Sequence, residues 1–308
     1  MAKVTSPADP AEPPNTTQER GQDHDARFFN KDDPVIPAKM AELLEQYSGI
    51  PAGHAQVEHV RRLRDRAYQA YRYPCLGLYR FLGLALSNHP LYEGHVLPLL
   101  RGETRSSTKV ATPVGTTSRT FLDLGTCLGQ DMRKLIFDGV PMESVYGADI
   151  LAEFVDIGYD LFGDEERLPR SHFVAPADIF DDSSPLQELD GRVDIVHANS
   201  VFHLFSWDDQ VKAAKRVIKL LRPEKGSLIL GSQIAHVEPG EVSSRPGRPS
   251  NTMYRHDEKS WERFWTSVGQ DVGLSFTVRS SLSAYPEEKG MEDFLDGISR
   301  MTFEIWRD

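Results

Sequence analysis

The residues best suited to chemistry in this 308-residue chain lie in Phe121-Leu-Asp-Leu-Gly-Thr-Cys-Leu-Gly-Gln-Asp131. A short apolar run carrying Asp123 near its carboxyl end enters a loop with glycines at 125 and 129, and a helical pattern follows. Leu122 and Leu124 read as buried strand, and Gly125 and Gly129 let the backbone turn tightly and approach a ligand. A dinucleotide fingerprint needs G-x-G-x-x-G, whose glycines serve a pyrophosphate at a helix N-terminus. The D-x-G-x-x-x-G spacing here lacks the third glycine. It suits a nucleoside cofactor and disfavours a nicotinamide-dependent oxidoreductase. Packing alone also produces such turns, so the loop has to be read with its neighbours.

An adenosine-containing cofactor asks for an acid at the end of the next strand, where it can accept both ribose hydroxyls. Asp149 stands there, 20 residues after Gly129, closing Val145-Tyr-Gly-Ala-Asp149. It would equally cap the helix starting near Leu151. Asp178, before Ile179, ends the third apolar run and can accept an adenine amino group, or simply open the turn into Asp181 and Asp182. After the fourth run comes His197-Ala-Asn-Ser-Val-Phe-His-Leu-Phe-Ser-Trp207, in the loop that faces the ligand crevice of an open parallel sheet. Asn199 and Ser200 are candidates for a cofactor's polar tail. His203 could take a proton or orient a substrate oxygen, or only pack. His197 reads as structural. With His203 it has no metal-binding helix geometry and no accompanying carboxylate at useful spacing, so no metal is expected. Arg80, a charge in an apolar stretch, needs an anion, whether an internal carboxylate or one on a ligand. Tyr73, Trp207, Gln233, Tyr254 and Arg255 are further candidates to line a substrate chamber.

The elements that must position these groups follow from periodicity. Val57, Val60, Leu63, Ala67 and Ala70 mark one helix face, and Tyr73-Pro74 interrupts it. Cys75 to Leu86 predicts a second, largely buried helix, and Pro90 to Leu100 a short third. Residues 101–119, rich in Gly, Ser, Thr and charge, read as a linker. From Thr120, strand-like runs at 121–124, 145–149, 172–178, 193–199 and 227–233 alternate with amphipathic stretches, the pattern of βαβ units and a parallel sheet. Residues 234–256 read as a long irregular segment. Phe276 to Leu282 and Met301 to Trp306 then predict an antiparallel pair at one sheet edge. The expected organisation is a disordered tail over 1–30, a helical cap and linker over 31–118, and an α/β cofactor-binding domain over 119–308.

Composition narrows the class. The formal net charge of −11, with no basic run, argues against nucleic acid, and the two cysteines, Cys75 and Cys127, are too far apart for a disulfide framework or zinc site. The first 30 residues are polar and Pro-rich without a signal-peptide core, and no run has the roughly 18 to 20 apolar residues of a membrane span. A cytoplasmic protein with a small-molecule substrate is expected. The oligomeric state stays open, a homodimer included.

The glycine loop resembles the first motif of class I S-adenosylmethionine-dependent methyltransferases. Together with Tyr73-Pro-Cys-Leu-Gly-Leu-Tyr-Arg-Phe-Leu82 and Asn199-Ser-Val-Phe-His-Leu-Phe-Ser-Trp-Asp-Asp-Gln210, it resembles fungal secondary-metabolite methyltransferases, the austinol-pathway family of meroterpenoid biosynthesis. The resemblance runs from about Val57 to the C-terminus. It implies a Rossmann-like sheet of five parallel strands plus a C-terminal antiparallel pair under an N-terminal helical cap. It also implies O-methylation by S-adenosyl-L-methionine, yielding S-adenosyl-L-homocysteine, on the carboxyl group of a prenylated aromatic polyketide acid. Motif by motif it puts Asp123, Gly125 and Gly129 at the cofactor's tail, with Thr126 and Gln130 beside them. Asp149 falls at the ribose, with Ile150 among the cofactor-binding residues, and Asp178 and Ile179 at the adenine; the N-terminal helices containing Tyr79 and Arg80 would form the cap over the substrate. Two other readings keep the same fold: a phenol or enol O-methyltransferase with His203 as base, and a protein that binds the cofactor without transferring methyl.

Overall fold

The computed structural model describes residues 26–103, 119–243, 252–285 and 296–308. Its first described residues are already packed. Phe28 is buried, and the Asn30 N–H donates to the Gly77 carbonyl at 3.0 Å. Residues 1–25 of the expected tail and 104–118 of the expected linker lie outside the described residues.

Helix α1 (Ala38–Glu42) continues into a π turn and is followed by α2 (His54–Ala70), whose apolar stripe buries Val60, Leu63 and Ala67. Helix α3 (Pro74–Gly77) starts on a proline, which loses nothing at a first turn. It ends sooner than the apolar run predicted. In place of one helix over Cys75 to Leu86, Tyr79 and Leu84 take left-handed φ values of 56° and 49° on either side of the 3-10 turn Arg80–Gly83. The cause is that the Gly77 carbonyl, needed to continue the helix, instead accepts the Asn30 N–H and Arg64 Nη1. A short helix α4 (Leu97–Leu100) completes the N-terminal part.

Strands β1 (Phe121–Leu124), β2 (Val145–Ala148), β3 (Phe173–Val174), β4 (Ile195–His197) and β5 (Leu228–His236) are parallel and alternate with helices α5 (Gln130–Phe137), α6 (Ala152–Phe162) and α7 (Trp207–Leu220). Residues 234–256 are more regular than expected. β5 reaches His236, and β6 (Gly240–Ser243) pairs with β7 (Thr252–Arg255), while 244–251 lie outside the described residues. Four-residue strands are too short for their alternation to stand out beside Gly, Ser and Pro. Helix α8 (Glu258–Val272) leads to β8 (Phe276–Ala284), and β9 (Ile298–Arg307) returns between β5 and β8, antiparallel to both. The sheet order is β3-β2-β1-β4-β5-β9-β8, the expected five parallel strands and antiparallel pair.

Strand parity divides the core. Leu122, Val196, Ile229, Met301 and Phe303 face α7 and α8, whereas Phe121, Ile195, Leu228 and Leu230 face α5 and α6. Helix α2 and the π turn after α1 pack with α6 in one apolar cluster that includes Leu43, Leu63, Phe154 and Phe162. Among the described residues no helix is long and apolar enough to cross a membrane.

Candidate active site

The chain runs outward from β1 through β2 to β3, then outward the other way from β4 to β5, so the strand order reverses between β1 and β4. Ligands of open α/β sheets bind in the crevice at that reversal, above the carboxyl ends of the strands. The glycine loop occupies this place. The N–H groups of Gly125 and Thr126 both donate to the Ala148 carbonyl, at 2.8 and 3.0 Å, tying the loop to the end of β2. Gly129, with φ +69°, sits so close to its neighbours that a Cβ would fall 2.4 Å from Arg133 Nη1. Arg133 braces the loop from beneath: Nη1 donates to the Leu128 carbonyl, and Nε and Nη2 grip Asp164 at 2.8 and 2.9 Å, fully buried.

Register places His197 directly beside Asp123. Its Nδ1 lies 2.8 Å from Asp123 Oδ1, while the Thr126 hydroxyl donates to Oδ2 at 2.8 Å. The expectation that His197 has no accompanying carboxylate is therefore wrong: its partner comes from the neighbouring strand, which spacing along the chain cannot show. Asp131 joins the group, accepting the Leu86 N–H at 2.9 Å, and one ligand-type atom from each of Asp123, Asp131 and His197 lies within 4.8 Å of the others. Burial raises the Asp131 carboxyl to about 6, against the opposing pull of His197. For His197 burial acts downward, but the hydrogen bond and charge of Asp123, with Asp131, outweigh it and its pKa is raised. The group is a hydrogen-bonded charge network under the loop. Asp123, with both oxygens engaged and 3% exposed, shapes the cradle from below.

Asp149 bridges two segments, accepting the Cys127 N–H at 2.8 Å and the Leu151 N–H at 3.0 Å. It thus fixes both the loop and the start of α6, and burial raises its carboxyl to about 6. Its backbone carbonyl accepts the Ala177 N–H at 2.8 Å, which holds the Asp178 turn alongside. Asp178 accepts the Phe180 N–H at 2.8 Å, as a turn-opening residue does. Ile179 packs toward the α7 side of the core. Ile150 and Phe180, 45% and 40% exposed, are the large apolar side chains left open beside these acids.

Beyond β4, Ser200 has φ +59°, and its N–H donates to the Ser232 carbonyl at 2.7 Å. The Ser232 hydroxyl donates to Asn199 Oδ1 at 2.6 Å and accepts from Arg300 Nη2 at 2.6 Å. Gln130 spans toward Asp131 through its amide nitrogen at 3.4 Å. The proposed substrate residues fall into two groups on opposite sides of the sheet. His203 is buried, its carbonyl accepting Arg255 Nη1 at 2.5 Å, and the Trp207 and Tyr254 rings meet edge to face at 4.8 Å. Gln233 is on this α7 and α8 side, buried, with Nε2 on Met301 Sδ at 3.8 Å and, among the described residues, no partner for its Oε1. On the other side the Tyr73 ring lies tilted against Tyr71, centroids 4.2 Å apart, and the Tyr79 hydroxyl accepts from Arg64 Nη2 at 2.5 Å in the N-terminal core. The Arg80 guanidinium lies 4.7 Å from the Tyr285 ring centroid.

A family profile for the meroterpenoid methyltransferase N-terminal domain matches residues 28–82. The O-methyltransferase phiE from a fungal species is 42% identical over 240 residues, covering 78% of this chain and 73% of that one. The O-methyltransferase atr3 of Stereocaulon alpinum is 36% identical, covering 86% and 71%. The asnovolin E/chermesin D methyltransferase nvfJ of Aspergillus novofumigatus is 34% identical, covering 77% and 78%. The chain belongs to the meroterpenoid methyltransferase family. Among solved structures, a Burkholderia thailandensis 1,6-didemethyltoxoflavin-N1-methyltransferase aligns with a TM-score of 0.45 and 16% identity over 83% of this chain and 92% of that one. The strand order of this methyltransferase is β3-β2-β1-β4-β5-β9-β8.

Several parts of the methyltransferase site escaped sequence reasoning. Asp131 closes the glycine-loop segment and Arg133 follows it, where sequence alone does not separate a buried helix charge from a solvent-facing one. Arg300 lies one residue before the strand expected over Met301 to Trp306, and the observed strand extends back to include it. All three lie on the sheet side that also carries Asp123 and His197, Asp131 and Arg133 through α5 and Arg300 through strand parity.

Proposed function

We propose that this methyltransferase takes its methyl group from S-adenosyl-L-methionine and places it on a carboxyl oxygen of a prenylated aromatic polyketide acid. The observation that carries the donor assignment is the cradle: a glycine loop too tight for a Cβ at residue 129, ending beside a carboxylate at 149 and an exposed apolar side chain at 150. These features fit a nucleoside with an amino acid tail. Gly125 through Gln130 would hold the tail, Asp149 would accept the ribose hydroxyls, and Ile150, Asp178 and Phe180 would border the adenine. When bound, the sulfonium supplies an electrophilic methyl carbon.

Everything else is positioning. The transfer is an in-line displacement, so the acceptor oxygen has to be held on the far side of the methyl from sulfur with water excluded. A carboxylic acid with a pKa near ~4 is ionised at neutral pH. A phenol near ~10 would first have to lose a proton, at roughly 4 kcal/mol. A carboxylate acceptor therefore needs orientation and no general base. The buried His203, seated through its carbonyl on Arg255, then serves to shape the loop after β4. The names of two relatives, both O-methyltransferases, support oxygen as the acceptor atom.

The test is calorimetric titration with S-adenosyl-L-homocysteine, then mass spectrometry of prenylated aromatic acids incubated with S-adenosyl-L-methionine. Binding and a methyl ester product are expected. Failure to bind, or methylation confined to acids already esterified, would overturn the reading.

A further inference from the structure

Arg300 is the unusual cation of the crevice. It lies near the start of β9, on the sheet side that carries Asp123, His197 and Ser232, and it is half-buried. A guanidinium removed from water normally holds a carboxylate in its planar fork. Other arginines of the fold meet carboxylates: Arg133 holds Asp164, Arg119 and Arg222 share Asp194, and Arg216 meets Asp190. Among the described residues Arg300 forms no ion pair, and its side-chain hydrogen bond goes to the neutral Ser232 hydroxyl. That hydroxyl passes its own proton to Asn199, so a directional chain runs from Arg300 to the loop after β4. The chain pins one nitrogen of the guanidinium. It leaves the remaining donors of a five-donor group for something else.

The electrostatic surroundings point the same way. Burial, and then the nearby Arg80 charge, hold the Arg300 guanidinium below the usual arginine range, with Asp131 acting in the opposite direction. Arg80 comes from the N-terminal segment and Arg300 from the last strand, so two distant parts of the chain bring positive charge to one end of the sheet. Positive charge concentrated at a crevice, at an energetic cost to one of its members, is repaid when an anion arrives.

We propose that Arg300 is an anchor for a ligand carboxylate, binding it through the donors that Ser232 leaves open, with Arg80 adding charge across the crevice. This deepens, and rests on, the reading of the crevice as a methyl-transfer site. The reaction offers two carboxylates, one on the donor's amino acid tail and one on the acceptor. The same fork chemistry serves either, and they are separable by experiment.

The variants are Arg300→Met, which removes the charge, and Arg300→Lys, which keeps the charge without the planar fork. Thermal melting first establishes that each is folded. The donor arm titrates each variant with S-adenosyl-L-homocysteine and with 5′-methylthioadenosine, which has no amino acid tail. The acceptor arm measures kcat and KM with an acid that the wild-type protein methylates. If Arg300 holds the donor, R300M weakens S-adenosyl-L-homocysteine about 10- to 100-fold and leaves methylthioadenosine unchanged. If it holds the acceptor, homocysteine-adduct binding is unchanged while KM for the acid rises about 10- to 100-fold. In either arm R300K recovers part of the loss. A folded R300M that matches wild type in both arms overturns the proposal. If wild type binds S-adenosyl-L-homocysteine but methylates no acid, the carboxyl-acceptor reading falls, and the donor arm alone decides for or against Arg300. A folded R300M that melts normally but loses both adenosine ligands equally also counts against it, since a tail anchor cannot affect a tail-less ligand.

Discussion

Asp149 offers the sharpest link between the energetics of the fold and its chemistry. Its carboxylate is buried yet must be charged to accept two ribose hydroxyls, and its pKa of about 6 records that conflict. Relative to the ordinary value of 3.8, holding the charge at neutral pH costs about 3 kcal/mol, at about 1.4 kcal/mol per unit. The sign follows from linkage: a carboxyl raised in the folded state contributes stability below about pH 4, and that contribution is lost as pH rises through about 6. Asp149→Asn removes the buried charge but also costs one good acceptor for the Cys127 and Leu151 N–H groups. The two effects oppose each other, so the cofactor-free fold should shift by no more than about 1 to 2 kcal/mol at pH 7.5. Binding should not be spared. Two hydrogen bonds to a charged acceptor are worth about 1.5 kcal/mol each at the low end, so D149N should weaken S-adenosyl-L-homocysteine about 100-fold. Wild-type affinity should fall about tenfold from pH 7 to pH 5 as Asp149 takes up a proton. Asp131 titrates in the same range, so Asp131→Asn is the control: it should keep the pH dependence that D149N loses. Calorimetry at both pH values reads all of this. Affinity in D149N within about threefold of wild type, or a pH dependence that survives in it, would refute the ribose assignment.

Other consequences follow from the same contacts. Arg133→Met or Asp164→Asn breaks a fully buried, doubly hydrogen-bonded pair and should destabilise the protein by about 3 to 5 kcal/mol, measured by guanidinium denaturation. Gly129→Ala forces a side chain into left-handed backbone and against Arg133. It should lower the melting temperature by several degrees and weaken S-adenosyl-L-homocysteine, whereas an alanine at the open Gly163 should cost only the backbone strain of about 1 to 2 kcal/mol. His203→Ala should raise KM for an acid substrate and leave the pH profile of turnover in place. A large, pH-dependent loss of turnover would instead make His203 a base.

The fold was legible where chemistry repeats locally. Apolar runs separated by amphipathic helices specified five parallel strands, and alternation in Phe276 to Leu282 and Met301 to Trp306 specified the antiparallel pair. The glycine loop and Asp149 were legible because a tight turn and a strand-end acid are both local requirements. What stayed hidden was lateral. The His197–Asp123 bond joins residues 74 positions apart that meet only through strand register. The break after Gly77 depends on Asn30 and Arg64 competing for one carbonyl, which no propensity encodes. The chamber candidates show the same limit: Trp207 and Tyr254 share one aromatic cluster, while Tyr79 is held by Arg64 on the other side of the sheet. Arg300 was hidden because the strand was expected to begin at Met301, and its place beside Ser232 depends on the pairing of β9 with β5.

The most direct measurement uses S-adenosyl-L-methionine carrying a deuterated methyl group, incubated with the protein and a prenylated aromatic acid, with the product analysed by mass spectrometry before and after mild saponification. Transfer to a carboxyl oxygen predicts a deuterium-labelled product that loses the whole labelled methyl group on saponification. A labelled product that resists saponification would mean a phenol ether or a carbon acceptor. No labelled product at all, from a protein shown to bind S-adenosyl-L-homocysteine, would contradict methyl transfer to this class of acid.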